Sequence, residues 1–207
     1  MEKHCIVATN NPGKVRELKA IFEAESIPML ALCDLGITFV PGENGTTFEA
    51  NAMQKATETA AFLAENGHGG GITLADDSGL VIDALDGAPG VDSALFMGAD
   101  TPYEQRCAKI IETMSAVPDG KRSARFVCVI ACILPCGKAI TSRAALEGEI
   151  ARKPSGAEGF GYDPIFFVPK FGKTMAEISR EEKNKISHRG QALRQMIELI
   201  KSTPSGG

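Results

Sequence analysis

Asp76 and Asp77 stand side by side in the run Ala75-Asp76-Asp77-Ser78-Gly79. Two adjacent carboxylates repel each other unless a cation offsets the charge. A hard divalent ion such as Mg²⁺ does this and keeps waters and phosphate oxygens in its shell. Glu43, in the loop before a helical pattern, is a candidate further ligand. Thr9-Asn10-Asn11-Pro12-Gly13-Lys14 separates a short apolar run from another helical pattern. Anions are favoured at such a place, because backbone N–H groups point outward and the helix dipole is positive there. Lys14 adds a charge, and Thr9 and Asn11 add donors. The Walker spacing is absent. Asn51 and Lys55 lie four apart, hence on one helical face from which phosphates are reachable. In Gly159-Phe160-Gly161-Tyr162-Asp163-Pro164, two glycines around an aromatic let backbone approach a flat ligand while Phe160 stacks on it. Lys183, His188 and Arg189 fall within about two helical turns and offer donors to phosphate or purine acceptors. Taken singly, each also reads as ordinary structure: an Asp-rich turn, a capped loop, a core phenylalanine, a solvated basic face.

The elements that must position these groups alternate. A strand over residues 5–8 leads into a helix with Val15, Leu18 and Phe22 at helical spacing. Residues 32–45 read as loop with a short strand. The pattern Thr46-x-x-Glu49 predicts a capping box at the start of a second helix. Phe48, Ala52, Ala56, Ala60 and Leu63 line one face of it, and Asn66-Gly67 ends it. A strand over residues 72–75 is expected to end in the two aspartates. A third helix starts near Pro102, capped by Asp100 or Thr101, with Cys107, Ile110, Ile111 and Met114 as its apolar stripe. Residues 125–134 and 139–150 read as a hairpin around Pro135-Cys136-Gly137. A glycine-rich loop at 156–161 precedes a strand at 165–168. Ser179-x-x-Glu182 is another capping box, and the last helix carries Leu193, Met196, Ile197 and Ile200. Residues 202–207 are expected to fray. The fold class is α/β, a long mixed central sheet flanked by helices.

Composition narrows the partners. The chain has 207 residues and a net charge of -4, which speaks against a large nucleic-acid surface but not against a small basic pocket. No apolar run approaches the roughly 18 residues of a membrane span, and residues 1–4 do not begin a signal peptide. The six cysteines contain no CxxC pair. They read as buried reduced thiols, which fits a cytoplasmic location.

In this order the motifs resemble the inosine triphosphate pyrophosphatase family, also called dITP/XTP pyrophosphatases. The resemblance runs from Ile6 to Leu193. It rests on Thr9-Asn10-Asn11-x-x-Lys14, Thr47-Phe48-x-x-Asn51-Ala52-x-x-Lys55-Ala56, Ala75-Asp76-Asp77-Ser78-Gly79-Leu80, Gly87-Ala88-Pro89-Gly90-Val91, Gly159-Phe160-Gly161-Tyr162-Asp163-Pro164-Ile165-Phe166 and Glu182-Lys183-x-x-Ile186-Ser187-His188-Arg189-Gly190. It implies hydrolysis of non-standard purine triphosphates to monophosphate and pyrophosphate. It also implies one two-lobed domain over residues 1–207 with the active site in the cleft between lobes, and a homodimer. Carried over by position, Thr9, Asn10, Asn11, Pro12, Gly13 and Lys14 hold the triphosphate, with Lys55 nearby. Glu43 and Asp77 bind Mg²⁺, and Asp77 accepts the proton of the attacking water. Ser78, Phe160, Gly161, Tyr162, Asp163, Lys183, His188 and Arg189 contact the nucleotide. The chain departs from the common family pattern at Asn10, Ala50, Asp92 and Leu95, none of them an expected metal ligand. Two other readings remain open. One is a pyrophosphatase for modified pyrimidine nucleotides, which Ser187-His188-Arg189-Gly190 speaks against. The other is a nucleotide sensor without turnover, which would need neither the aspartate pair nor Lys14 and Lys55.

Overall fold

Apolar residues gather in separate clusters, on both faces of the strands in one unit and in a further core in the other. The computed structural model describes residues 5–203. The opening residues 1–4 and the tail residues 204–207 lie outside the described residues. In order come β1 (Cys5–Val7), α1 (Pro12–Ala24), β2 (Met29–Ala31), α2 (Phe48–Glu65), β3 (Ile72–Ile82), α3 (Tyr103–Thr113), β4 (Ser123–Ile133), β5 (Ala139–Ile150), β6 (Phe166–Val168), β7 (Lys173–Thr174), α4 (Arg180–Ile186) and α5 (His188–Ser202), joined by short 3-10 turns. The strands form one seven-stranded sheet in the order β2-β1-β3-β4-β5-β6-β7. β1 is parallel to β2 and to β3, whereas β6 is antiparallel to β5 and β7, so the sheet is mixed. The α/β class with its mixed sheet is as the sequence predicts.

The first unit comprises the described residues up to Asp77, Cys128–Ala144, and those from Arg189 on. Cys5 and Val7 of β1, Leu74 of β3 and Cys128, Ile130 and Cys132 of β4 pack with Leu18, Ile21 and Phe22 of α1 and Leu193, Met196 and Ile197 of α5. Ile6 points the other way and packs with Leu32 and with Leu63 of α2. The strands are therefore covered on both faces. That is why β4 reads as the unbroken apolar run Val127 to Cys132, with no alternation.

The second unit comprises Ser78–Val127 and Ala145–His188. Its core gathers Leu80 and Ile82, the α3 stripe Cys107, Ile110 and Met114, Phe126, Ile150 and Phe166. Two arginines are buried here without a carboxylate on the guanidinium. Arg106 donates to the carbonyls of Ser93, Ala94, Gly98, Ala99 and Thr101. Arg122 donates to those of Met114, Val117, Ile150 and Ala151. Carbonyl dipoles satisfy these donors and fix the loops that supply them.

Local expectations are corrected at five places. The strand expected after residue 32 lies earlier, at β2, where Met29 to Ala31 can pair with β1; Leu32 instead opens a 3-10 turn. Thr47, not Thr46, caps α2, its hydroxyl accepting from the Ala50 N–H at 3.1 Å. Glu49 thus falls outside a capping box and pairs with Arg143. α3 has no side-chain cap, because its cap position is Pro102, whose side chain carries no acceptor; the Thr101 hydroxyl donates to the Met97 carbonyl instead. Four cysteines are buried, but Cys33 and Cys136 sit in turns and are exposed; none of the six is bridged. Finally, β3 does not stop at the aspartates; it runs straight through them.

Candidate active site

The uninterrupted β3 decides the electrostatics. Successive side chains of a strand point to opposite faces. Asp76 shares its face with Leu74 and so meets α1 and α5; Asp77 faces α2. The two carboxylates do not compete for one cation. Each has its own.

Asp76 is buried, 3% exposed. Lys14 of α1 reaches it at 3.0 Å and Arg189 of α5 at 3.3 Å, and Arg189 also pairs with Glu17 of α1. Burial alone would raise the Asp76 pKa, but the charges of Lys14, Arg189 and Lys55 outweigh it and hold the carboxyl well below its usual range. Asp76 is thus ionised at any pH at which the protein works. Its folded pKa is depressed, so its contribution to stability is present above the ordinary value of 3.8 and is lost as pH falls below that. Asp76→Asn is therefore expected to lower the urea midpoint at neutral pH, with the gap to wild type closing as the medium is acidified past 3.8. A gap that stays constant with pH would contradict this.

Asp77 has the opposite balance. Burial is the largest influence and raises its pKa; Lys55 and Lys14 pull against this without reversing it, and Asp76 adds repulsion. Lys55 Nζ donates to Asp77 Oδ1 at 2.8 Å and also to Glu43. Asn51 Nδ2 donates to the second oxygen, Oδ2, at 3.3 Å. Burial works to lower the Lys55 pKa, but the Asp77 and Asp76 charges keep it raised. Paired carboxylates pushed in opposite directions are a recurring sign of divided labour. Here the surrounding cations hold Asp76 charged, whereas burial pushes Asp77 the other way.

The loop expected over residues 9–14 is shorter: residues 8–11 lead into α1, and Pro12, Gly13 and Lys14 form its first turn. Asn11 caps the helix, its Oδ1 accepting from Gly13 N at 2.9 Å and Lys14 N at 3.2 Å, with Pro12 in the first turn. Thr9 Oγ1 accepts from Asn11 N, and Asn10 donates to the Phe39 carbonyl. The local reason is the sequence Asn-Pro-Gly: a capping side chain, then a residue whose missing N–H costs nothing there. Glu43 stands half-exposed in the loop before α2.

The remaining expected residues lie in the second unit, apart from Arg189. Asp163 Oδ2 accepts from Phe160 N at 2.8 Å and from Lys183. Gly159 is required beneath it, since a Cβ there would come within 2.0 Å of that oxygen. Lys183 Nζ lies 5.0 Å from the centre of the Phe160 ring, a cation–π arrangement. Tyr162 donates its hydroxyl to the Ser93 carbonyl at 2.8 Å. His188 stacks on Phe126 at 4.8 Å. Ser78 follows Asp77 along β3, half-buried. Lys183, His188 and Arg189 are not on one helix, because Ser187 adopts extended backbone between α4 and α5. Sequence reasoning missed Glu17, Asn51's bond to Asp77, and the engagement of Arg189 by two acids. The available signal for Glu17 was a carboxylate one turn from Lys14 and from Ile21, on a stripe otherwise meant for burial.

No helix among the described residues is long and apolar enough to cross a membrane. Residues 5–199 match the model of the Ham1 family. A dITP/XTP pyrophosphatase of an Exiguobacterium species is 47% identical, the alignment covering 94% of this chain and 96% of that one. One from Escherichia coli is 43% identical over 95% and 98%. Among solved structures, the Staphylococcus aureus Ham1 protein superposes with a TM-score of 0.82 at 37% identity, covering 96% of this chain and 98% of that one. A HAM1 protein from Coxiella burnetii does so at 0.81 and 38%, covering 97% and 99%. With its sequence matched almost end to end and its fold shared at this identity, the chain belongs to the Ham1 family.

Proposed function

We propose that this chain hydrolyses non-standard purine nucleoside triphosphates, ITP, dITP and XTP, to the monophosphate and pyrophosphate, and so removes deaminated purines from the nucleotide pool. The names of its relatives support the reaction class. The observation that carries the reading is the convergence of Glu43 and Asp77 on one cationic atom, Lys55 Nζ, with Asp77 raised in pKa.

That donor set suits Mg²⁺, which is commonly held by one or two carboxylates together with substrate phosphates. In this reading Glu43 and Asp77 hold the ion, which when bound neutralises charge on the triphosphate. Lys14 and Lys55 add fixed positive charge along the phosphate chain, and Thr9, Asn10, Asn11, Pro12 and Gly13 shape the loop that receives it. Asp77 takes the proton of the attacking water at its carboxylate. Burial helps here, because a base works best when its pKa is moved toward the working pH.

Base reading is assigned to Ser78, Phe160, Gly161, Tyr162, Asp163, Lys183 and His188. Phe160 offers a ring face, and Lys183 is a buried donor steered by Asp163. Hypoxanthine and xanthine present an acceptor at C6 where adenine presents an amino group. A donor placed there therefore favours the first two, with a mispaired buried polar group costing about 1–3 kcal/mol. Arg189 is engaged by Glu17 and Asp76, so its contribution is indirect: it holds Asp76 in place. The reading takes residues 1–207 as one catalytic domain, working as a cytoplasmic homodimer.

The test is a nucleotide panel of ITP, XTP, ATP, GTP and dUTP, with Mg²⁺ and with chelator, and anion-exchange separation of products. Metal-dependent IMP or XMP plus pyrophosphate, with ATP and GTP largely untouched, is the expected outcome. Release of orthophosphate would overturn the phosphate register. Turnover of dUTP alone would favour the pyrimidine reading, and tight ITP binding without product the sensor.

A further inference from the structure

We infer that one face of α2 is a positioning device for Glu43, built from Asn51, Gln54 and Glu58. Asn51 and Gln54 are three apart, Gln54 and Glu58 four, and Asn51 and Glu58 seven, so they share a face. Each accepts one backbone N–H of the loop that carries Glu43. Glu58 Oε2 takes Gly42 N at 2.7 Å, Gln54 Oε1 takes Asn44 N at 3.2 Å and Asn51 Oδ1 takes Gly45 N at 2.7 Å. The order is reversed, so loop and helix run past each other like the two sides of a ladder. Gln54 Nε2 donates to Glu58 Oε1 at 2.8 Å and ties two rungs together. Lys55, between the rungs, meets the Glu43 side chain itself.

Close approach is built into the loop. A Cβ on Gly42 would come within 2.5 Å of Gln54 Nε2, and one on Gly45 within 2.7 Å of the Ala50 Cβ. The Gly42 N–H bond also holds the Glu58 carboxyl below its usual range, as expected of an ionised acceptor. None of the three side chains is needed for proton transfer or charge. Their effect is to fix the backbone on both sides of Glu43, which is itself half-exposed and would otherwise swing. Asn51 does double service, since its other amide atom holds Asp77. The two acids assigned to the metal are thus set by one helix face.

This rests on the reading of Glu43 as a metal ligand, and the experiment separates the two. Full-length wild type, Glu58→Ala and Glu58→Gln are compared by NMR amide exchange without nucleotide. Gly42 should be protected in wild type and in Glu58→Gln, whose amide oxygen can still accept, and should lose protection in Glu58→Ala. The Mg²⁺ concentration for half-maximal ITP turnover should rise about 10–100-fold in Glu58→Ala, the usual effect of losing an outer-shell partner of a metal site. It should stay near wild type in Glu58→Gln. In a Glu43→Gln background, Glu58→Ala should cost no further turnover. Unchanged Gly42 exchange in Glu58→Ala, or an equal loss in both backgrounds, overturns the inference. If wild type turns over no purine triphosphate, the proposed function fails, and the Gly42 exchange still decides for or against the ladder.

Discussion

Asp77→Asn is expected to cut turnover by about 10²–10⁴-fold, the usual cost of removing a general base, with nucleotide binding still measurable. The asparagine keeps the shape of the side chain and can still accept from Lys55 through its oxygen. It cannot take a proton from water, and its affinity for a hard cation is lower. The replacement also removes repulsion with Asp76 and an ionised group that burial disfavours. It also weakens the pairing of buried Lys55 and turns an amide donor toward either Lys55 or Asn51 Nδ2, so turnover is compared at a temperature at which thermal melts show both proteins folded. Single-turnover rates and ITP affinity by calorimetry check both halves. Near-normal turnover would remove Asp77 from the role of base, whatever happens to binding.

The second large effect is on stability. Arg189→Met fills similar space but leaves Glu17 and Asp76 buried with their charges uncompensated on that side. Removing one partner of a buried ion pair commonly costs about 3–5 kcal/mol. Lys14 still reaches Asp76, so the lower end is expected. Urea unfolding at neutral pH measures it, and a loss under about 1 kcal/mol would mean the network carries little. The kinetic companion is diagnostic. If Arg189 acts by holding Asp76, the efficiencies for ITP and for any residual ATP turnover fall together. A selective loss for ITP would instead return Arg189 to direct reading of the base.

Much of the site was legible because its chemistry is local in sequence. Asn11-Pro12-Gly13 announces a capped helix start, and Ser179-x-x-Glu182 does the same for α4. The aspartate pair was legible as chemistry but not as geometry. Adjacent acids suggest a turn, since charges are rare in a buried strand. What keeps β3 extended through them is cations supplied by α1, α2 and α5, and no local window contains those. The engagement of Arg189 was illegible for the same reason: Asp76, to which it donates, lies 113 positions away. The basic run before it looked like one helical surface because nothing in Ile186-Ser187-His188 marks a break as Pro or Gly would. The α2 ladder was half-visible. Asn51 and Lys55 shared a face on paper, but the loop they grip contains no periodic signal.

Opposite-facing Asp76 and Asp77 have a consequence for the folding of the chain. The pairing of β3 with β1 sets Cys5 against Ile72 and Val7 against Leu74. Sliding β3 by one residue would turn Asp76 toward the α2 face and Asp77 toward the face of Arg189, so that only one of them could stand where the other stands now. Such a molecule would keep every side chain of the site and lose its division of labour. Catalysis in this chain thus acts as an assay of alignment: specific activity after refolding counts the molecules whose strands have come to rest in step.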